Sequence, residues 1–519
     1  MNRKSAQALG LLACALLLIA LRLHTVHEAF DRDIGIQGTI GNELLHGRSL
    51  YSDLWDHKPP MTFYIHAAFI RICGFNEYYV LGMNVFFNLI TLLGICWLAR
   101  RLTQSAWLAL AAGLFFTLLS FDMPMQASQP NSEALVNPFL VWGLAAWLAS
   151  ADKGAGQGRA ALAGALFFAA SFFKQQYILI PACAGLGLLL ARQPWRKGWP
   201  VAELKAMLTM ALVMLAGWAL VLAAFWARHS LSDFYDAAFA YNQGYTGNLR
   251  IANTKLLPSF ALGLLPYLLA TLAYLIATIA FSDRRGIGMA GWLLGAYAAV
   301  LLPGKYFPHY YQLLIPPLVI GTTLLLDRAL RQGRRPLALA LISAALLFSC
   351  ARTVGALAQP SWAWSEMKYP QAGFAESRAL GLALKKALPQ GQTLYYLGDN
   401  ATCFLYAGAR AANGVYYAKN LEEENRLRLP LVKAESEKFF DEKFDIAIFD
   451  ADPAILNYDK DVDVPAILRK DFTLIPTCFS HSRIYARKAG GLPASFAKDL
   501  AIESKIEMAA MHLDISGCQ

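Results

Sequence analysis

Residues 79–101 read YVLGMNVFFNLITLLGICWLARR: an uncharged apolar run to Ala99, closed by Arg100 and Arg101. At 1.5 Å rise per residue, about 20 such residues span the roughly 30 Å hydrocarbon core of a bilayer. Paired arginines at the end of a span mark a side of the membrane. Working outward, apolar segments recur at 106–121, 134–151, 160–173, 177–191, 206–227, 258–281, 287–303, 311–326 and 336–351, and the stretch to His24 makes an eleventh. Composition agrees: 56% of the 519 residues are apolar, 16% are charged, and mean hydropathy is +0.38. Soluble domains carry roughly 25% charged residues. A chain of three or four soluble domains is thereby excluded for most of the length.

The formal charge of +10 invites a nucleic-acid reading, but its distribution argues against one. Residues 353–519 hold 19 Lys and Arg against 21 Asp and Glu, so the excess lies among the spans. With a cytoplasmic N-terminus, the loops threaded inside hold 16 basic residues, Arg100, Arg101, Lys153, Arg196 and Lys197 among them. Only Asp152, Glu203, Asp283 and Asp327 oppose them. The outer loops before residue 353 balance at 11 and 11. This is the positive-inside pattern, and it leaves residues 353–519 outside. Arg3 and Lys4 before an apolar stretch also suit a signal peptide, and Leu11-Leu12-Ala13-Cys14 resembles a lipoprotein box. The run continues well past Cys14 without a small-residue cleavage site, so an uncleaved first span is the better reading.

The outer C-terminal region is expected to be a small α/β domain, with a helix near 371–388 and strands at Thr393–Leu397, Phe444–Phe449, 472–477 and 482–487. Its Cys403 and Cys478 are candidates for a disulfide. The first outer loop, residues 25–78, collects Glu28, Asp31, Arg32, Asp33, Glu43, Asp53, Asp56, His57 and Lys58. Ile36, Ile40 and Leu44 recur at helical spacing, and a second helix is expected from Pro59-Pro60. Both read as short interfacial helices lying on the bilayer. A long loop of this composition is too apolar to be disordered and points to function.

Asp33 has two readings from its surroundings: a carboxylate available as a base, or one paired with Arg32 or capping the following helix. Lys58 is either a point charge against phosphate or a snorkelling interfacial lysine. Lys305, His309 and Tyr310 either line a phosphate site or anchor at the interface. Glu133 orients an acceptor or the loop, or caps the fourth span. Lys174 sits in a short turn between apolar helices, where an ionisable group is costly. No Gly-x-x-x-x-Gly-Lys-Ser/Thr loop is present, so ATP-driven transport by this chain alone is not expected. No Cys/His grouping has structural zinc spacing. Leu397-Gly398-Asp399-Asn400 follows a strand and reads as an ordinary strand-to-helix turn, and Glu422-Glu423-Glu424 as a solvated helix face.

Phe30-Asp31-Arg32-Asp33-Ile34-Gly35, Leu45-His46-Gly47 and Leu50-Tyr51-Ser52-Asp53-Leu54-Trp55-Asp56-His57-Lys58-Pro59-Pro60 together resemble the first outer loop of GT-C membrane glycosyltransferases. These include protein O-mannosyltransferases and the aminoarabinose transferase of lipid A. Asn131-Ser132-Glu133, Lys174 and Pro308-His309-Tyr310-Tyr311 extend the resemblance over about 350 residues. The resemblance implies a polytopic α-helical membrane domain over residues 1–352 and an extracytoplasmic α/β domain over 353–519, in a bacterial inner membrane. It implies a polyprenyl-phosphate-linked sugar as donor and inverting transfer to an envelope lipid, polysaccharide or protein. Asp33 would be the base, with Asp31 as competitor; Lys58, Lys305, His309 and Tyr310 would hold phosphate. Arg32, Asp53, His57, Glu133 and Lys174 would position acceptor or loop. Many relatives carry an acidic residue directly after the catalytic Asp, where this chain has Ile34; metal assistance therefore stays open. A transporter or lipid-linked sugar flippase is the alternative, and an envelope assembly factor a third reading.

Overall fold

The computed structural model describes residues 3–151, 156–192, 201–245, 257–281, 284–370, 372–389, 392–423, 425–441, 443–516 and 518. Asp152, Lys153, Arg196, Lys197, Asp283, Gln371 and Glu424, used in the sequence reading, lie outside them. By contacts the chain forms two compact units. One comprises Met1–Thr25, Met83–Ala227 and Tyr245–Gln359; the other comprises Val26–Gly82, Arg228–Gly244 and Pro360–Gln519. The first loop thus groups with the C-terminal residues.

The first unit is helical. Among the described residues, seven helices are long and apolar enough to cross a membrane: Ser5–His27, Glu77–Thr103, Ser132–Ser150, Val201–Ala227, Ser259–Thr278, Pro308–Arg331 and Arg335–Leu357. The other four expected spans fall on the helices Ala106–Leu119, Gln157–Ser171, Leu179–Arg192 and Arg284–Leu301, which are shorter or less apolar. Leu179–Arg192 and Arg284–Leu301 approach closely through Gly291 and Gly295, where an added Cβ would lie 2.2 Å from the Cys183 carbonyl and 2.6 Å from that of Leu179. Such small-x-x-x-small spacing brings apolar helices together where water supplies no driving force. Outward-facing Leu215, Leu220 and Leu347 stay exposed, as lipid-facing side chains do.

In the second unit a five-stranded sheet has the order β2-β1-β3-β5-β4, with β1 Thr393–Leu397, β2 Arg410–Ala411, β3 Ile446–Phe449, β4 Phe472–Ile475 and β5 Arg483–Arg487. β2, β1 and β3 are parallel, and β5 and β4 return antiparallel. The helix Phe374–Ala387 precedes β1. Cys478 pairs with Cys518, whereas Cys403 is a buried free thiol, so the candidate Cys403–Cys478 bond does not form. Cys403 is buried inside the helix Thr402–Ala407.

The helix Arg32–Leu45 departs from the interfacial expectation. Every residue from Ile34 to Glu43 is buried by protein. Two glycines make this possible: a Cβ on Gly35 would lie 2.6 Å from the Thr402 backbone nitrogen, and one on Gly41 2.9 Å from that of Ala67. Its far end is held by Glu43, whose carboxylate accepts from Arg410 Nε and Nη2, both at 2.8 Å, and from the Ala411 backbone N–H at 3.1 Å. Arg48 adds a fourth contact at 3.7 Å. Glycine to alanine inside a helix normally gains about 1 kcal/mol. Gly35→Ala should instead lose about 1–3 kcal/mol through the clash, while Gly82→Ala, with nothing within 4 Å of its Cβ, should be neutral or stabilising. Thermal unfolding of the two variants in detergent checks the opposite signs.

Candidate active site

The backbone decides which aspartate is which. Asp31 is the N-cap of Arg32–Leu45: it is extended (φ −75°, ψ 170°) and its Oδ1 accepts from Ile34 N–H at 3.2 Å. Its other oxygen accepts from the Tyr369 hydroxyl at 2.9 Å. The capping role considered for Asp33 thus belongs to Asp31. Asp33 lies in the first helical turn with its side chain 21% exposed. Its Oδ2 is 3.5 Å from Lys58 Nζ, and its Oδ1 is 4.0 Å from Arg32 Nε.

Lys58 reaches Asp33 because its loop is pinned at several points. Arg48 donates to the Ala411 and Asn413 carbonyls, and Trp55 N–H donates to Gly414 O at 2.9 Å. Tyr51, at a left-handed φ of 74°, donates its hydroxyl to the Lys58 carbonyl at 2.7 Å, and Asp56 Oδ1 accepts from Lys58 N–H at 2.8 Å. The Lys58 ammonium is 3.8 Å from Asp56 Oδ2, so two carboxylates share it. Asp53 is a turn residue, accepting from Ser49 N–H at 2.7 Å. His57 packs beside Tyr241 with ring centroids 5.6 Å apart, and its carbonyl accepts from Asn242 Nδ2 at 2.8 Å.

Several partners had no signal in the sequence. The Arg32 guanidinium stacks over the Tyr417 ring at 4.2 Å. Asp33, Asp399 and Asp31 hold its charge still more firmly against the opposing cost of burial. Burial pushes the Asp399 carboxyl and the Tyr417 phenol above their ordinary ranges. Asp399 opens the turn after β1. After β3, the buried Asp450 accepts from the Tyr396 hydroxyl at 2.7 Å, and burial pushes its carboxyl up to about 6.

The remaining candidates belong to the first unit and gather there. Glu133 Oε1 accepts from Lys174 Nζ at 2.6 Å and from the Tyr177 hydroxyl at 2.7 Å. His309 Nε2 stands 4.0 Å from Glu133 Oε2, its Nδ1 is bonded to Gln126 Oε1 at 2.9 Å, and Lys174 Nζ lies 4.4 Å over the Tyr310 ring. Lys305 is half-buried in the chain leading to this segment. Glu133 is no cap: it is buried one residue inside its helix. Among the described residues, no group of three or more His, Cys, Asp and Glu is arranged to hold a metal ion.

Removing one partner of a buried ion pair costs about 3–5 kcal/mol, whereas neutralising both can cost little. Lys174→Met should therefore destabilise by about that much, and Lys174→Met with Glu133→Gln should recover most of it, as read by thermal unfolding of the purified protein.

Residues 57–223 match the family model described as dolichyl-phosphate-mannose-protein mannosyltransferase, a segment that starts beside Lys58. No curated protein matches the chain by sequence. Among solved structures, ArnT from Cupriavidus metallidurans bound to undecaprenyl phosphate superposes with a TM-score of 0.60 at 14% identity, over 95% of this chain and 100% of that one. Its apo form gives 0.56, also at 14% identity, over 93% and 98%. An Archaeoglobus fulgidus oligosaccharyltransferase tethered to an acceptor peptide gives 0.51 at 12% identity, over 97% and 78%. Over residues 57–223 the chain thus resembles the protein mannosyltransferase family, and it shares the fold of ArnT and of the oligosaccharyltransferase.

Proposed function

We propose that the protein transfers a sugar from a polyprenyl-phosphate-linked donor to an envelope acceptor at the outer face of a bacterial inner membrane, with its N-terminus cytoplasmic. The single observation that carries this reading is the 3.5 Å approach of Lys58 Nζ to Asp33 Oδ2, the two residues assigned here as phosphate-binding cation and base. Support comes from the fold shared with a protein solved with undecaprenyl phosphate. A lipid carrier of that length does not leave the bilayer, since each buried CH₂ contributes about 0.8 kcal/mol. Its sugar must be met at the interface, and a chain with many apolar helices and an ionisable loop suits that need. Residues 353–519 are proposed to form the outer domain.

In the reaction, Asp33 accepts the proton of the acceptor hydroxyl as its oxygen attacks the anomeric carbon from the face opposite the phosphate. A new carbon–oxygen bond forms, the anomeric carbon–phosphate oxygen bond breaks, and polyprenyl phosphate leaves with the electron pair. Configuration inverts. Lys58 faces the growing charge on the phosphate as a point cation. The Ile34 position supplies no second carboxylate next to Asp33, so the base acts with Asp31 committed to the cap and Asp56 to Lys58.

The test is mass spectrometry of envelope lipids and glycans from a deletion strain complemented with wild type or variant. A positioned general base contributes about 10²–10⁴-fold. Asp33→Asn should therefore insert normally and lower product at least about 100-fold. Wild-type product from that variant would overturn the assignment. Sugar-lipid movement in proteoliposomes without any acceptor would favour a flippase instead.

A further inference from the structure

We propose that a groove at the basic ends of three helices in the first unit binds an anionic glycerophospholipid, with the headgroup phosphate on two arginines and an acyl chain along an apolar floor. The inference goes beyond the transfer reaction and uses none of its residues.

The groove has a volume of about 570 Å³ and lies between the ends of Glu77–Thr103 and Ser132–Ser150 and the start of Gln157–Ser171. Its lining residues all belong to the first unit. Each helix contributes a face set by sequence spacing. Trp97 and Arg101 come from the first helix, Trp142, Ala145 and Ala149 from the second, and Arg159, Leu162 and Leu166 from the third. Residues three or four apart on a helix are surface neighbours, so each set forms one stripe. The arginines sit nearest the helix ends, and the apolar side chains run inward from them. The step from Arg159 to Leu166 descends about 10 Å at 1.5 Å per residue. Small alanines in the second stripe leave the room that larger side chains would fill.

The walls are fixed by contacts. Trp142 donates its Nε1–H to the Ile90 carbonyl at 2.9 Å, and its ring centroid is 6.3 Å from that of Trp97. Gly94 permits the approach, since a Cβ there would lie 3.0 Å from Trp142 Nε1. Arg159 donates from Nη1 to the Ala149 carbonyl at 2.9 Å, which holds its guanidinium over the end of Ser132–Ser150. Leu162 and Trp97 both stay exposed along the groove.

Charge selects the occupant. The described lining residues include two guanidiniums and no carboxylate. A helix end carries about half a charge, negative at the C-terminus and positive at the N-terminus. Two C-terminal ends and one N-terminal end meet here, so together they offset only about 0.5 of the arginines' two positive charges. A phosphate is attracted, and a headgroup ammonium is repelled. Basic pockets between membrane helices hold anionic headgroups in this way, and tryptophan suits the level where headgroup meets chain. A topological signal would account for Arg101, and a helix cap for Arg159, but neither needs an alanine-floored groove walled by two tryptophans. On the orientation proposed above, the lipid belongs to the inner leaflet.

The experiment titrates purified full-length protein in an uncharged detergent with phosphatidylglycerol or phosphatidylethanolamine, and counts bound lipids by native mass spectrometry. Phosphatidylglycerol should bind at least about tenfold more tightly than phosphatidylethanolamine. Each arginine should contribute about a fivefold factor, so Arg101→Gln with Arg159→Gln should weaken phosphatidylglycerol about 25-fold. Leu162→Trp fills the groove and keeps both charges, and should weaken it about tenfold. Arg100→Gln removes the same charge from an exposed position outside the lining, and should leave binding unchanged. Four outcomes overturn the proposal: equal affinity for the two lipids, wild-type affinity in the double variant or in Leu162→Trp, a loss in Arg100→Gln as large as in Arg101→Gln, or displacement of phosphatidylglycerol by equimolar undecaprenyl phosphate.

Discussion

The placement of the site depends on one buried carboxylate. Glu43 is fully covered, and its two oxygens are taken by the Arg410 fork, the Ala411 N–H and Arg48. A charge buried this deeply is tolerable only when every lone pair is met. Meeting them locks the last turn of Arg32–Leu45 to β2. Because a helix is stiff, fixing that end and packing Gly35 against Thr402 fixes the start of the helix as well. Asp33 therefore does not ride on a mobile loop. It projects from a helix wedged into the α/β unit.

Asp31 and Asp33 show how two like residues two positions apart separate into different roles. The cap needs an extended residue just before the helix, and Asp31 has that conformation. With the orphan N–H groups served by Asp31, Asp33 is left to point at Lys58. At its place in the first turn, the positive end of the helix attracts a carboxylate's negative charge. Lys58 acts in the same direction.

The sequence reading succeeded where local pattern decides structure. Uninterrupted apolar runs located the helices of the first unit, and the short run Thr393–Leu397 became a buried parallel strand. The reading of Asp33 and Lys58 as neighbours came from the family resemblance of one loop, and the chain brings them within 3.5 Å. It failed where distance in sequence is large. Glu43 and Arg410 are 367 residues apart, and no periodicity can announce their pairing. Cys478 and its partner Cys518 are 40 residues apart, with no local pattern to pair them. One clue was overlooked: Gly35, Gly38 and Gly41 recur every third residue, which marks a face meant for close approach rather than for lipid. The Ile36, Ile40 and Leu44 spacing suggested a bilayer surface because an apolar face looks the same whether protein or lipid covers it.

Glu43, Glu133 and Asp33 are carboxylates that meet their cations at different distances and depths. Glu43 and Glu133 have their strong contacts at 2.6–2.8 Å with cations or hydroxyls, and each is essentially excluded from solvent. A proton offered to Glu43 would have to displace a short ionic bond, whereas Glu133 keeps its Oε2 buried 4.0 Å from His309 Nε2. Asp33 meets its cations at 3.5 and 4.0 Å and keeps part of its surface open. Since Coulomb attraction falls with distance and with solvent access, each of these long contacts is weaker than the short pairs around Glu43. A carboxylate held in that intermediate state can take a proton and later give it up, and the helix, the pinned loop and the sheet edge all serve to keep it there.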